Sequence, residues 1–331
     1  MHVEDRMSDP SSDRIEPPYG EIWEQLRDGE IVPFLGAGAS LGERADDAHF
    51  DGNHPAFLPS GSELSEWLAK FVNFPEKPAT DLAKVASFYQ VQTSRDRLMK
   101  HLRRIFEADF AHTKVHQLLA DVPKPMLIIT TNYDDLIERA FRERDRPYHL
   151  VTHPESDDLA GSVLWWKPGA KEPEAWAPAD LPLYVDDVSV VYKMHGTILK
   201  APFDTKWQSF VITEEDYVQF LSRMTQKGGA IPASFMLHLR NSALLFLGYG
   251  LNDWNFRVML DKLRRPVFQR DEETTDGDKQ LPVTRANQKP TWAIQRHPSR
   301  LEWRLWQARD VAIFDVDLAA FADGVRQWMN P

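Results

Sequence analysis

"IVPFLGAGAS", residues 31–40, is the stretch whose reading decides the fold. A run of apolar residues enters two glycines, small alanines and a hydroxyl. That is how a buried strand ends in a loop whose backbone must let something come close. The theme returns in "MLIITTNYDD" at 126–135, "VSVVYKMHG" at 188–196 and "ALLFLGYGLND" at 243–253. Helical patterns separate these strands, beginning with "SELSEWLAKF" at 62–71, where Ser62 is the expected N-cap and Leu64, Trp67, Leu68 and Phe71 share a face. Further helices are expected in "TEEDYVQFLSRM", "IPASFMLHLRN", "DWNFRVMLDKL", "SRLEWRLWQ" and "LAAFADGVRQWM", and further strands in "PTWAIQ" and "VAIFDV". Continuous apolar strands alternating with helices predict an α/β fold, a Rossmann-like doubly wound parallel sheet covered on both faces.

In such a sheet ligands bind beyond the carboxyl ends of the strands, where the strand order reverses. The candidate residues are therefore Gly36 to Ser40, Thr130 to Asp134, His195 with Gly196, and Gly248 to Asp253. Four polar segments at corresponding strand ends are expected to wall one pocket.

Composition bounds the function. The chain has 331 residues, 42% of them hydrophobic, enough for a substantial core. It has no Cys, which excludes disulfides, thiolate zinc sites and a Cys nucleophile together. A formal net charge of -11 argues against broad binding to nucleic acid, which depends on Lys and Arg neutralising phosphates. The apolar runs are too short to span a bilayer, and the first residues lack the basic-then-apolar order of a signal peptide, so the cytoplasm is expected.

Along the chain, residues 1–18 read as a flexible tail and 19–331 as one domain. Two segments interrupt the strand–helix alternation: a helical insertion at about 62–120, and an acidic, Trp-rich insertion at about 154–187 in which no period holds. Trp165, Trp166 and Trp176 in the second suit a core, a lid or an interface.

Each strand-end motif has a plain structural reading beside the functional one. "GAGAS" can cradle a pyrophosphate or make a tight turn; Leu41 stands where the dehydrogenase fingerprint needs a third glycine, and no Walker lysine follows. "TTNYDD" suits an Asx turn with Asp134 or Asp135 capping the next helix. His195 suits a general base or a structural histidine. "GYGLND" is a turn or a second glycine-lined nucleotide contact. His112 and His116 lie one helical turn apart without a third metal ligand, so capping or a surface role is expected. "DVD" at 315–317 ends a strand, and "DEETTDGD" at 271–278 is a solvated acidic loop.

In the order "GAGAS", "TTNYD", "KMHG", "LGYGLND", with "LPSGSEL" at 58–64 and "ITEEDYVQFL" at 212–221, the chain resembles sirtuin-fold NAD-binding proteins from about Glu21 to about Trp328. It is more similar to the bacterial SIR2-like proteins of antiphage defence than to the deacylases. The resemblance implies NAD+ as substrate, with no metal. Gly36, Ala37, Gly38 and Ser40 would floor the phosphates and ribose, with Thr131 beside them. Asn132 would hold the nicotinamide ribose and a water, Asp134 would orient the nicotinamide amide, and His195 would be the general base. Gly248, Gly250 and Asn252 would line the adenosine side. Deacylase sirtuins carry a four-Cys zinc module, which a chain without Cys cannot build, and "GERADDAHFDGNHPAFLPSG" stands where their Pro-Asp-Phe-Arg type loop falls. Both departures weaken acyl-lysine peptide binding as a function.

The activity so implied is NAD+ glycohydrolysis to nicotinamide and ADP-ribose in defence by NAD+ depletion. The alternatives are a non-hydrolysing NAD or ADP-ribose-binding regulatory subunit and a zinc-free deacylase or ADP-ribosyltransferase. The resemblance also implies a homo-oligomer and a separate partner protein, such as a HerA-type ATPase, an Argonaute or a phage-derived trigger, with no membrane and no direct nucleic acid.

Overall fold

A computed structural model describes residues 16–42, 44, 48–154, 157–185, 187–200, 203–225, 230–250 and 289–329. Asn252, the helix expected at 253–263, the acidic run at 271–278 and most of the tail at 1–18 lie outside the described residues.

Nine strands form one sheet among the described residues. They are β1 (Ile31–Leu35), β2 (Leu127–Thr130), β3 (Tyr148–Thr152), β4 (Val163–Trp166), β5 (Glu174–Trp176), β6 (Ser189–Lys193), β9 (Ala243–Leu247), β10 (Thr291–Ile294) and β11 (Ala312–Phe314), while β7 (Gly196–Thr197) and β8 (Ser209–Phe210) make a small antiparallel pair beside it. The order is β11-β10-β9-β1-β2-β6-β3-β4-β5. Seven strands are parallel, and the last two join antiparallel at one edge. From β1 the order runs one way through β2, β6 and β3 and the other way through β9, β10 and β11, so the reversal falls at β1.

The strands are apolar throughout because both faces are covered. Val32 and Phe34 point to one core with Phe220, Phe235 and Leu239, from α8 (Glu214–Thr225) and α9 (Ala233–Asn241), and with Trp306 from α10 (Arg300–Gln307). Ile31 and Leu35 point to the other, built with α1 (Tyr19–Asp28), α6 (Lys114–Asp121), α7 (Leu136–Arg142) and α11 (Leu318–Met329). This is the period of two expected of a strand buried on both sides.

Helices α3 (Gly61–Phe71), α4 (Leu82–Gln92) and α5 (Arg95–Phe106) have a third core of their own. It closes on Tyr133, Leu136 and Ile198, residues that flank the strand-end loops, so this helical block bears directly on the candidate site. The first of these helices starts earlier than expected. Ser60, not Ser62, is its N-cap: the Ser60 Oγ accepts from Glu63 N at 3.3 Å, and the Glu63 carboxylate accepts from Ser60 N at 2.8 Å. That reciprocal box satisfies two end groups at once. At the other end Phe71 is 46% exposed, with its ring against Trp67 and His101.

The acidic, Trp-rich stretch contributes structure that its pattern did not reveal. It supplies β4 and β5, the antiparallel edge pair, and Trp165 and Trp166 are buried in opposite cores while Trp176 packs against the first. These tryptophans are core residues. No helix among the described residues is long and apolar enough to cross a membrane.

Candidate active site

The carboxyl ends of β1 and β9 interlock through their glycines. After β1 the chain turns at Gly36 into a single helical turn, α2 (Ala37–Ser40). Gly36 N donates to Leu247 O at 3.1 Å, and Gly38 N to Gly248 O at 3.0 Å. A Cβ on Gly36 would lie 2.4 Å from Gly248 O, and one on Gly38 2.7 Å from Gly248 Cα. Gly248 itself has φ +63°, and its Cβ would meet Ala39 N at 2.4 Å. The close approach that demands glycine is therefore that of the protein's own second loop, a packing requirement independent of any ligand. Ala37 and Gly250 remain exposed on this rim.

On the other side of β1 the strand ends carry side-chain chemistry. Asn132 Nδ2 donates to Gly36 O at 2.9 Å and to Ser40 Oγ at 3.0 Å, which holds the Asn132 side chain across the β1–β2 junction. Thr130 Oγ1 donates to Leu35 O and accepts from Asn132 N, both at 3.0 Å, and Thr131 N donates to Leu35 O at 3.3 Å. Asp134 is buried, its Oδ1 accepting from Leu136 N at 3.1 Å, so it makes the Asx turn that opens α7. Burial raises the Asp134 carboxyl above the ordinary carboxylate range, against the opposing pull of Lys193, the Leu136 amide and the Ser40 hydroxyl. Ser40, Asn132 and Asp134 thus form one connected group.

His195 follows β6, the neighbour of β2, where Met194 N donates to Thr130 O at 2.9 Å. The next residue, Gly196, has φ +88°, and a Cβ there would lie 2.0 Å from Ser209 O, so the sharp turn after His195 requires glycine. His195 is 3% exposed, its ring edge-on to Tyr217 at 5.2 Å and to Phe220 at 6.3 Å, both from α8. A second buried histidine, His153 at the end of β3, bonds Tyr192 Oη at 2.7 Å and is driven down to about 3, first by burial and then by the nearby Arg223 and His195 charges. His153 was not legible as a site neighbour because β3 was not recognised as a strand. Lys193 and Glu138 were also missed, although a lysine closing the apolar run "VSVVYK" was the signal.

A cavity of about 860 Å³ opens over the β1–β9–β10 ends. Gly38, Gly248 and Gly250 lie in its wall, together with Arg44, Lys114 and Arg296 as cations and Glu63 and Asp317 as acids. Asn132, Asp134 and His195 are not in that wall. Thr113 of this wall is bonded by His116, buried and driven down to about 3 by burial, which caps α6 by accepting from Thr113 N at 3.2 Å. Thr113 Oγ1 in turn donates to Ala39 O at 2.9 Å. His116 is thus a capping residue, and no cluster of three His, Asp or Glu suited to a metal occurs among the described residues.

A parallel sheet reversing at β1, with glycine loops and a polar group at its carboxyl end, defines a Rossmann-like α/β protein. The family model described as a SIR2-like domain matches residues 126–275. The match includes β2, β6 and β9 and leaves out the glycine loop at 36–40. Among curated proteins the chain is 26% identical over 281 residues to the NAD(+) hydrolase ThsA of Enterococcus faecium, covering 82% of this chain and 44% of that protein. It is 23% identical over 251 residues to defense-associated sirtuin 2 of Bacillus subtilis, covering 74% of this chain and 20% of that protein. The NAD(+) hydrolase ThsA of Acinetobacter baumannii is 26% identical over 246 residues, 73% of this chain and 41% of that protein. The chain spans less than half the length of each of these relatives.

Proposed function

We propose that this chain hydrolyses NAD+ to nicotinamide and ADP-ribose. The observation that carries the reading is the Asn132 side chain, fixed on Gly36 O and Ser40 Oγ at the reversal of strand order, one strand away from His195. The names of the relatives from Enterococcus faecium and Acinetobacter baumannii support it.

In the proposed reaction the bond between ribose C1′ and the nicotinamide nitrogen breaks, and its electron pair leaves with nicotinamide. A water oxygen bonds to C1′ of the oxocarbenium-like centre, and its proton passes to His195, directly or through a ribose hydroxyl. Asn132 cannot titrate and places the water and ribose. Asp134, its carboxyl raised above the ordinary range by burial, orients the nicotinamide amide. Gly36, Ala37, Gly38, Ser40 and Thr131 serve the phosphates and ribose, while Gly248, Gly250 and Asn252 serve the adenosine. The setting we propose is cytoplasmic antiphage defence, by a homo-oligomer whose trigger is a separate protein.

Nicotinamide release from NAD+ by the purified chain, alone and with lysate of phage-infected cells, tests the reading. His195→Ala and Asn132→Ala should each cut release by about 10²-fold or more, the usual share of a general base or its placement. Release retained in both variants would overturn the assignment.

A second reading rests on the cavity. Its wall holds the glycine loops and not His195, whose ring packs edge-on to Tyr217 and Phe220, an arrangement suited to holding a nucleotide without consuming it. Bound NAD+ recovered intact under both conditions would favour that reading. Consumption that requires an added acyl-peptide or protein acceptor would point to transfer chemistry instead.

A further inference from the structure

Lys193 ends β6 with its side chain fully buried. Its ammonium donates to Tyr133 O at 3.3 Å, to Asp134 O, and to Glu138 Oε1 at 2.9 Å. An ammonium has three donors, and here three acceptors meet them. Two are main-chain carbonyls of the residues that directly follow Asn132. The third belongs to the first turn of α7, the helix that the same loop enters.

The partner is as deeply placed as the lysine. The Glu138 side chain is 3% exposed, its Oε2 has no hydrogen-bond partner among the described residues, and burial raises its carboxyl above the ordinary range. Burying such a pair is an expensive way to stabilise a sheet, since apolar side chains of similar volume commonly do as well or better. What the pair does that Met or Leu cannot is hold two successive carbonyls turned inward. With those carbonyls held, the Asn132 side chain meets Gly36 O and Ser40 Oγ on the opposite side of the junction. Lys193 also lies two residues before His195, so one strand end sets both the Asn132 loop and the proposed base.

We propose that Lys193, paired with Glu138, is the positioning residue of the site: it fixes the 132–134 loop, and through it Asn132, in the geometry that bond cleavage needs. The catalytic half of this inference rests on the proposed NAD+ hydrolysis; the loop-fixing half does not. Lys193 touches no substrate in this scheme and acts through Asn132.

The test is the double variant Lys193→Met/Glu138→Gln in the full chain. Lys193→Met alone leaves the Glu138 carboxylate without its ammonium and is read only if it folds. Two readouts are taken, amide hydrogen exchange over 131–138 and the steady-state kinetics of nicotinamide release. The double variant should exchange faster over 131–138, while 31–35 and 243–247 keep the wild-type rate, because local opening is read segment by segment. Its kcat should fall about 10²-fold with KM nearly unchanged, the signature of a misplaced catalytic loop with binding intact. Lys193→Arg, which restores the cation and its donors, should recover part of kcat.

Unchanged exchange over 131–138 in a folded double variant overturns the proposal. So does faster exchange with wild-type kcat, or a loss confined to KM. If wild-type protein releases no nicotinamide, the function reading fails by itself, and the exchange experiment alone decides whether Lys193 fixes the loop.

Discussion

The two halves of the strand-end surface, on either side of β1, use opposite means. On the β9–β10 side backbones interlock, with Gly36, Gly38 and Gly248 packed where no Cβ fits, and an open cavity remains above them. On the β2–β6 side the space is filled by side chains: Asp134, Lys193, Glu138 and His195 are buried and Asn132 half-buried, with Lys193 tied to Glu138 and Asn132 to Ser40. A glycine-lined wall with Arg44, Lys114 and Arg296 around it recognises shape and charge. A packed polar group has fixed geometry, which chemistry requires, and burial raises its Asp134 and Glu138 carboxyls. We read the first half as the seat of the nucleotide and the second as its reaction end.

The largest expected effect sets the halves against each other. His195→Ala should lose about 10²- to 10⁴-fold in nicotinamide release and keep its affinity for ADP-ribose, measured by calorimetry. Equal loss of binding would erase the division. Next, Gly248→Ala forces a side chain into positive φ against the Ala39 amide and should lower stability by about 3 kcal/mol or more, read from the urea midpoint. Gly161→Ala also has positive φ, +83°, but nothing within 4 Å of its Cβ, and should cost only about 1 kcal/mol. A small loss at Gly248 would mean that the loops are not interlocked.

Each half also contains one buried histidine driven down to about 3, His116 on the cavity side and His153 behind the reaction end. Below about pH 6.5 the unfolded chain binds a proton that the folded histidine refuses, so stability falls as pH falls, by up to about 1.4 kcal/mol per unit for each. The buried carboxyls of Asp134 and Glu138 are raised and contribute with the opposite sign, losing stability as pH rises. The difference between wild type and His153→Gln isolates one site: the variant's urea midpoint should depend less steeply on pH between 6.5 and 5. An identical slope would show that His153 titrates alike in the folded and unfolded chain. The smallest effect is at Arg44, in the cavity wall and paired with Glu63 at 2.8 Å. Arg44→Ala should cost at most about 1 kcal/mol of stability and weaken ADP-ribose binding severalfold, with kcat unaltered.

How much was legible follows the same division. The parallel strands β1, β2, β6 and β9 were readable because a strand buried on both faces is a continuous apolar run bounded by turn residues. The edge pair β4 and β5 was not, since Pro, Gly and acids break any period there, and the pairing that orders them is β4 with β3 and β5 with β4. The reasons for individual residues were hidden too. Gly36 and Gly38 were identified, but Gly248, more than 200 positions later, is what makes them necessary. Asp134 was weighed as a cap and as a ligand group; it makes the Asx turn and is buried beside Lys193.

The sequence by itself determined the fold class and the four strand-end motifs, because hydrophobic period and turn residues are local properties. Which strand lies beside which, and therefore that the order reverses at β1, was decided by tertiary structure alone. So was the pairing of Lys193 with Glu138, 55 positions away. A charge in an apolar strand is visible in one dimension, but the partner that makes it tolerable is found only when the chain has closed around it.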